Sequence, residues 1–464
     1  MAQALRINMS VLSLVEKLFP FSYSITGSGN DESIPVYQTE LNFTVHEYAS
    51  NQSLNGWYIP DAWRVIKAQI FHNEQLIYDA CTSPLGVAIL SPSFSGELSL
   101  TELNQHLISC EQLPDAIPYQ WQNLYRPNEI SWALCMPDNI KQNLPSGNYQ
   151  VILETKNSAS TMKVLDYFLP GQSDETIIIN GHNCHPFQAN DDISGCAVAI
   201  RVIQALKQQA KLKYSYRVII APELHGPMFW LNELTKQERE KLTGCILLKS
   251  VGNKADMRLQ RSYNDDSALD LAAQNAFTKR YQTFEQGAFR TIYGNDETVF
   301  EAPPFNIPTI SLTRWPFKQY HTDLDTPETL CEQALQDSVD LVLDIIASYE
   351  KNESTVSSPN EYLCESGNIA TEAKYQQTYQ RNFDGLVCLS AYGLYKSIPQ
   401  VDSSGVDYSS LSGRWNTLMN CLPREIEAKQ NVAQLAEKYQ LPVEGVYQYL
   451  ELWVENNLLI KENN

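Results

Sequence analysis

The sequence has no long apolar run, no closely spaced cysteine pair and few basic residues for its length. Its 464 residues include no uninterrupted apolar stretch of the ~18 residues that a transmembrane helix needs, so we expect no membrane partner. The 34 lysines and arginines are outnumbered by 54 aspartates and glutamates, which gives a formal net charge of −20. Such an acidic chain repels phosphate backbones and anionic lipid, so we expect no nucleic acid partner either.

The ten cysteines are scattered singly, and none forms a Cys-x-x-Cys pair. This spacing argues against a structural zinc finger. The first 24 residues lack the basic, apolar and small-residue segments of a secretory signal. We therefore expect a cytoplasmic, reducing compartment.

Hydrophobic periodicity divides the chain into regions of different character. Residues 41–160 contain short alternating runs separated by turn residues, which predicts a mostly β domain. Residues 161–350 alternate buried-strand patterns with helix patterns, which predicts an α/β sandwich with a largely parallel sheet. After a linker over 351–380, residues 381–464 carry a helix–turn–helix pattern that ends in a short strand.

Four of the seven histidines follow predicted central strands. His182 and His185 come after the first of these strands, His225 after the second and His321 after the fourth. Ligand sites in α/β folds lie at the carboxyl ends of the strands. The four histidines therefore predict a convergent site.

Residues 181–195 are the richest stretch in potential ligands. His182 and His185 are followed, six residues after the second histidine, by Asp191 and Asp192 at the start of a predicted helix. Imidazole and carboxylate are the ligands that catalytic zinc takes while one position stays open for water. The stretch therefore predicts part of a zinc site.

Two distant residues can complete that site. His321 can close the coordination shell, and Glu223, at the end of the second strand, can take the proton of a zinc-activated water. Simpler interpretations stay open: the two aspartates could only begin a helix, His225 could be an ordinary loop residue, and Cys184 could only support its loop.

These residues resemble the zinc aminopeptidase superfamily of bacterial leucyl aminopeptidases and glutaminyl cyclases, whose ligand segment ends in Asp-Asp-x-Ser-Gly, here residues 191–195. Within it the chain is most similar to bacterial aminopeptidase-like domain proteins, which are often encoded beside polysaccharide-biosynthesis genes. The similar segments follow the same order along nearly the whole chain and are Leu18-Phe-Pro, Ser24-Ile-Thr-Gly27, Tyr58-Ile-Pro with Trp63, Ala116-Ile-Pro-Tyr119, His182-Asn-Cys-His-Pro186, Asn190-Asp191, Pro222-Glu223, Asn295-Asp-Glu297 and Tyr320-His-Thr322.

The resemblance implies a three-layer α/β/α zinc-aminopeptidase-like core with an inserted β domain and a C-terminal winged-helix-like domain. Residues 1–40 would begin the core, 41–160 would be the inserted domain, 161–350 the rest of the core, 351–380 the linker and 381–464 the winged-helix-like domain. The helix pair of that last domain carries five glutamates and few basic residues. This charge favours packing or protein contact over DNA binding.

The resemblance also implies a role for each matching residue. Asp191 matches the metal-bridging ligand, His321 the C-terminal histidine ligand, and Glu223 the segment that carries the general base. His182 matches the strand-end ligand by position, and His185 is its competitor. We further expect four residues to contact substrate, namely Asp296, Glu297, His225 and Tyr320.

The sequence departs from the superfamily at three positions. The second residue of its Glu-Glu pair is Leu224 here, its His-x-Asp is His182-x-Cys184, and the aspartate expected after the third strand is replaced by residues 249–252, Lys-Ser-Val-Gly. One zinc ion is therefore expected, with two as the alternative. We predict a zinc-dependent, aminopeptidase-type hydrolase of a small peptide or peptide-like conjugate, and a homo-oligomer is left open. The alternative is a non-catalytic metal- or ligand-binding scaffold on a peptidase fold.

Overall fold

The structure is a computed structural model that describes residues 10–125, 131–351, 372–396 and 407–462. The helices in these ranges are α1 (Val11–Leu18), α2 (Ser28–Glu40), α3 (Leu100–Leu103), α4 (Gln122–Tyr125), α5 (Asp138–Gln142), α6 (Ser194–Leu206), α7 (His225–Glu233), α8 (Lys236–Glu240), α9 (Ala268–Arg280), α10 (Glu297–Phe300), α11 (Glu332–Glu350), α12 (Leu411–Glu427), α13 (Val432–Lys438) and α14 (Val443–Glu455).

The strands of the described residues form one large sheet and several small ones. They are β1 (Thr44–Ala49), β2 (Ser53–Leu54), β3 (Trp57–Tyr58), β4 (Ala62–His72), β5 (Gln75–Asp79), β6 (Phe94–Ser99), β7 (Leu107–Ile108), β8 (Leu134–Cys135), β9 (Asn148–Ser158), β10 (Thr161–Leu169), β11 (Thr176–His182), β12 (Ser215–Ala221), β13 (Leu242–Lys249), β14 (Arg258–Gln260), β15 (Gln286–Gly287), β16 (Thr309–Thr313), β17 (Tyr379–Arg381) and β18 (Leu459–Lys461).

The large sheet is mixed, with the order β1-β10-β12-β11-β13-β16-β14-β15. Its four central strands, β12, β11, β13 and β16, run parallel, while β10 and β14 pair antiparallel with them. All seven residues of β11 are buried, which its run of isoleucines allows because helices cover both faces of a parallel sheet. The predicted α/β class is confirmed.

The two faces of the sheet have separate apolar cores. On one face, Ile177 and Ile179 pack with residues of α1, α6, α9 and α11. On the other, Ile178 and Ile219 pack with residues of α7 and α10. Alternate residues of a strand point to opposite faces, so the central strands contribute to both cores.

A second sheet, of order β5-β4-β9-β6, is antiparallel and has its own core, which includes Ile70, Tyr149 and Val151. After β9 the chain enters β10 of the large sheet, and β1 pairs with β10 there. The predicted domain boundaries at 40, 160 and 350 stay predictions.

The C-terminal helices α12, α13 and α14 share a core that includes Leu422, Tyr449 and Trp453, beside the antiparallel pair β17–β18. Most of the predicted linker over 351–380 lies outside the described residues, and the winged-helix assignment stays a prediction. In the described part of the chain, we find no helix whose length and apolar character would let it span a membrane.

Candidate metal and active site

Three parallel strands end at one edge of the large sheet and bring their last residues together there. His182 is the last residue of β11, Glu223 follows the end of β12 by two residues, and Lys249 is the last residue of β13. His182 lies opposite Ala221 in the pairing of β11 with β12. This is the edge at which the sequence predicts the site.

The segment after β11 turns back towards the sheet through the Asp-Asp-Ile-Ser-Gly motif. Asp192 stabilises this turn, because its carboxylate accepts backbone N–H groups from His182, Gly195 and Ser250 at 3.0–3.3 Å. A Cβ at position 195 would lie 2.5 Å from both oxygens of Asp192, so only glycine fits. Asp192 thus fixes the backbone before α6, and the carboxylate of Asp191 is left to face the site.

Two imidazoles converge on one oxygen of Asp191. Nε2 of His321 lies 3.2 Å from Oδ2 of Asp191, and Nε2 of His185 lies 3.6 Å from the same oxygen. Nδ1 of His185 lies 2.8 Å from the carbonyl oxygen of Pro186. A proton on Nδ1 makes that hydrogen bond and leaves the Nε2 lone pair free.

This donor set fits a zinc ion. Nε2 of His185 and Oδ2 of Asp191 are both buried without a hydrogen-bond partner, although buried polar atoms are nearly always paired. Two imidazole nitrogens and a carboxylate oxygen, with a position left for water, form a common catalytic zinc shell. A cation bound among the three would satisfy these atoms.

The other oxygen of Asp191 contacts a buried lysine. Nζ of Lys249 lies 2.5 Å from Oδ1 of Asp191 and 2.9 Å from Nε2 of His182. An ammonium group only donates hydrogen bonds, so Nε2 of His182 accepts, and the proton of this ring is on Nδ1, 3.5 Å from Sγ of Cys184. Nε2 of His182 therefore contacts Lys249 and lies 3.3 Å from Oδ1 of Asp191, whereas Nε2 of His185 faces Oδ2 of that carboxylate.

Burial and charge shift the pKa values of these groups in opposite directions. Burial raises the pKa of Asp191, but the Lys249 ammonium and the neighbouring imidazoles outweigh it and hold the pKa well below its usual range. Burial lowers the pKa of His321 to about 4, and burial, with the nearby Lys249, lowers that of His182. Neutral imidazoles beside an ionised carboxylate are the protonation states that metal binding requires.

Three loops at this edge contain a non-glycine residue in the left-handed region. Leu224, next to Glu223, has φ of 61°, Ser250, next to Lys249, has φ of 55°, and His321 itself has φ of 53°. Such conformations cost free energy and cluster at functional sites. Their position beside three candidate residues supports a functional role for this edge.

The residues expected to contact substrate are only partly brought to this place. Tyr320 stacks on His321 with ring centroids 3.7 Å apart and lines the cavity above the site. Asp296 instead accepts the backbone N–H of Leu224 at 2.6 Å, and Glu297 pairs with Arg290 at 3.1 Å.

His225 packs against two aromatic side chains that line the cavity. It is buried, with its ring 5.2 Å from that of Trp57 and 6.2 Å from that of Tyr125, and burial lowers its pKa to about 4.

Sequence reasoning missed two aromatic residues from the β-rich region. Tyr119 stacks on His185 with centroids 4.4 Å apart, and Trp121 lies 4.9 Å from His321. The backbone N–H of Tyr119 donates to the carbonyl of His321 at 2.8 Å, which ties the two loops together. The Ala-Ile-Pro-Tyr segment was the available signal, but no pattern indicated its contact with the histidines.

A cavity of about 610 Å³ opens above these residues. Glu223, His185 and His321 lie on its wall together with aromatic side chains, and residues 386–390 and residues of α12 and α14 also line it. This volume suits a small-molecule ligand. The aromatic residues that line it are Trp57, Tyr119, Trp121, Tyr125, Tyr320, Tyr395 and Trp453.

A large mixed sheet between helices, with candidate metal ligands in the loops that follow its parallel strands, defines an α/β protein with a candidate metal site. The chain matches the family described as a domain of unknown function, DUF4910, over residues 12–352, and belongs to that family.

Three proteins illustrate what the chain is similar to. It is 26% identical over 345 residues, 74% of this chain and 78% of the relative, to a Clostridium acetobutylicum protein named for polysaccharide biosynthesis with an aminopeptidase-like domain. A crystal structure described as a peptidase from Clostridium acetobutylicum shares 22% identity, with a TM-score of 0.66 over 97% of this chain and 96% of that one. The zinc aminopeptidase BSAP of Bacillus subtilis shares 15% identity, with a TM-score of 0.57 over 75% of this chain and 96% of that one. The predicted resemblance is confirmed, and the structural likeness establishes the fold.

Proposed function

We propose that the protein is a zinc-dependent hydrolase of the aminopeptidase type that cleaves an amide bond in a small peptide or peptide-like conjugate. The observation that carries this proposal is the convergence of His185 and His321 on Oδ2 of Asp191 beside a cavity that Glu223 also lines. In this proposal His185, Asp191 and His321 hold the ion. The β-rich region is an inserted domain, and the C-terminal helices form a winged-helix-like wall of the cavity.

Zinc held there would polarise the scissile carbonyl and lower the pKa of an attacking water. Glu223 would accept the proton of that water and pass it to the leaving amine. Its side chain is 18% exposed and lines the cavity, so it can reach a bound substrate. The aromatic residues around it would orient the substrate and exclude bulk water.

The cavity limits the size of the substrate. Because residues of α12 and α14 also line the cavity and its volume is about 610 Å³, the proposal favours a small conjugate over a folded protein chain. The Clostridium relative is named for polysaccharide biosynthesis, which motivates testing amides of amino sugars beside dipeptides.

The experiment screens zinc-loaded protein against aminoacyl amides, dipeptides and N-acyl amino sugars. We expect zinc-dependent turnover on at least one class, and a loss of ~10²–10⁴-fold in kcat for Glu223→Gln, the usual contribution of a general base. Glu240→Gln, on an exposed part of α8, is the matched control and should retain full turnover. No zinc-dependent turnover on any class, with Glu223→Gln equal to wild type, would contradict the proposal.

A second candidate is a binding or scaffold protein that keeps the peptidase fold without the reaction. The observation that favours it is Lys249, whose ammonium group occupies one side of the carboxylate that would bridge two metal ions. Protein that takes up no zinc, manganese or cobalt, and still binds a ligand in the cavity, would support this candidate.

A further inference from the structure

Lys249 lies where a second metal ion would be expected. In two-metal hydrolase sites the ions are ~3.5–4 Å apart, and a carboxylate can contact both. Here Oδ2 of Asp191 faces His185 and His321, while Oδ1 lies 2.5 Å from Nζ of Lys249. Asp191 therefore faces two candidate zinc ligands with one oxygen and a built-in cation with the other.

The surroundings of Nζ are those of a cation that is fixed in place. The Lys249 side chain is fully buried, with its Nζ 4.8 Å from the centroid of the Tyr293 ring and 5.7 Å from that of Tyr320. Contacts of a cation with aromatic faces and with a carboxylate offset the cost of burying it. Moving the ammonium group into solvent would break its contacts with Asp191, Tyr293 and Tyr320.

The ligands that a second ion would need are already engaged. Nε2 of His182 lies 2.9 Å from Nζ of Lys249, and Nδ1 lies 3.5 Å from Sγ of Cys184. His182, Cys184 and Glu223 are near enough to one another to bind an ion. An ion on Nδ1 of His182 would have to replace the contact of that atom with Cys184, and it would lie close to the Lys249 ammonium, because Oε2 of Glu223 is itself 3.9 Å from Nζ.

We propose that the Lys249 ammonium group replaces the second metal ion, so that the site binds one divalent cation, on His185, Asp191 and His321, and uses His182 only to hold the lysine. The inference rests on the proposed zinc function and adds a specific role for Lys249. In this role Lys249 is a positioning residue, because its contact with Oδ1 holds the Asp191 carboxylate between the ammonium group and the bound ion.

The experiment is metal stoichiometry, measured by elemental analysis and by calorimetric titration of the metal-free full chain with Zn²⁺. We expect one ion per wild-type chain. Lys249→Asp places a carboxylate at the strand end beside His182 and Asp191 and should raise the number to two. Lys249→Met, of similar length and without a charge or a carboxylate, is the matched control and should not reach two.

Two histidine variants locate the ion without relying on the lysine variants. We expect His185→Ala to lose the ion and His182→Ala to keep it, each checked for a native circular dichroism spectrum. Cobalt in place of zinc gives a second readout, because its absorption spectrum should change in His185→Ala and persist in His182→Ala.

Several results would overturn the inference. These are two ions in wild type, one ion in folded Lys249→Asp, or loss of the ion from folded His182→Ala. Stoichiometry is read without substrate, so a wild-type chain that binds one ion yet hydrolyses nothing would contradict the proposed reaction and still support the role of Lys249.

Discussion

Asp325 holds the two backbone N–H groups that lead into the candidate bridging carboxylate, Asp191. Its Oδ1 accepts the backbone N–H of Asn190 at 2.8 Å, and its Oδ2 accepts that of Asp191 at 3.0 Å. The side chain is fully buried. Asparagine has the same shape but only one acceptor oxygen, so in Asp325→Asn an amide NH₂ must face one of the two N–H groups.

The size of the effect follows from that mismatch. A buried donor left without an acceptor costs ~1–3 kcal/mol, so we expect the free energy of unfolding of the metal-free protein to fall by about 2 kcal/mol. The Asp191 carboxylate should also shift relative to His185 and His321. Loss of a residue that orients a metal ligand typically costs ~10–100-fold in metal affinity, and we expect that loss here.

The matched control is Asp323→Asn in the same loop. Oδ1 of Asp323 accepts one backbone N–H, from Ile117 at 2.8 Å, and an asparagine can keep that single bond. Zinc affinity is measured by competition with a fluorescent chelator, and stability by urea unfolding in chelator. A zinc affinity of Asp325→Asn within twofold of Asp323→Asn would refute the claim that Asp325 positions Asp191.

Three other predictions test the site and the fold. His321→Ala should lose bound zinc, whereas His225→Ala should keep it and only unfold more easily, as read by metal analysis and thermal melting. Zinc at 100 times its dissociation constant should stabilise the wild type by ~2.7 kcal/mol and leave Asp191→Ala unchanged in the same melts. Burial raises the pKa of Glu301 from 4.5 to about 7, so between these pH values the folded protein holds a proton that the unfolded chain has lost. The free energy of unfolding should therefore fall by roughly 3 kcal/mol as the pH rises from 4.5 through 7. Urea unfolding from pH 4 to 8 should show that fall in wild type and in the exposed-site control Glu32→Gln but not in Glu301→Gln.

Much of the fold could be predicted because buried strands have a strong local signal. Residues 176–179, Thr-Ile-Ile-Ile, are an uninterrupted β-branched run, and they begin the fully buried β11. His182 and Glu223 could be placed because each follows such a run directly. The edge of a parallel sheet then brings together residues that are far apart in the sequence.

The contacts that distinguish His182 from His185 could not be predicted. Both rings lie near Asp191, but one accepts from Lys249 and the other has a free Nε2 lone pair. This difference depends on a lysine that is 67 residues from His182 in the sequence. A lysine at the end of an apolar strand pattern is typical of a chain leaving the sheet, so the pattern does not indicate a contact with His182. Tyr119 was missed for the same reason, since its stack on His185 is a purely tertiary contact.

The departures from the superfamily pattern all make the charge of the site less negative. Carboxylates are absent at Cys184 and Leu224, and a lysine replaces the aspartate expected after β13. The Lys249 ammonium contacts the carboxylate of Asp191 and lies 3.9 Å from that of Glu223. A second divalent ion would add positive charge to a largely buried space in which fewer carboxylates remain to balance it, and unbalanced buried charge is costly. Loss of carboxylates and gain of the lysine therefore together favour a single ion.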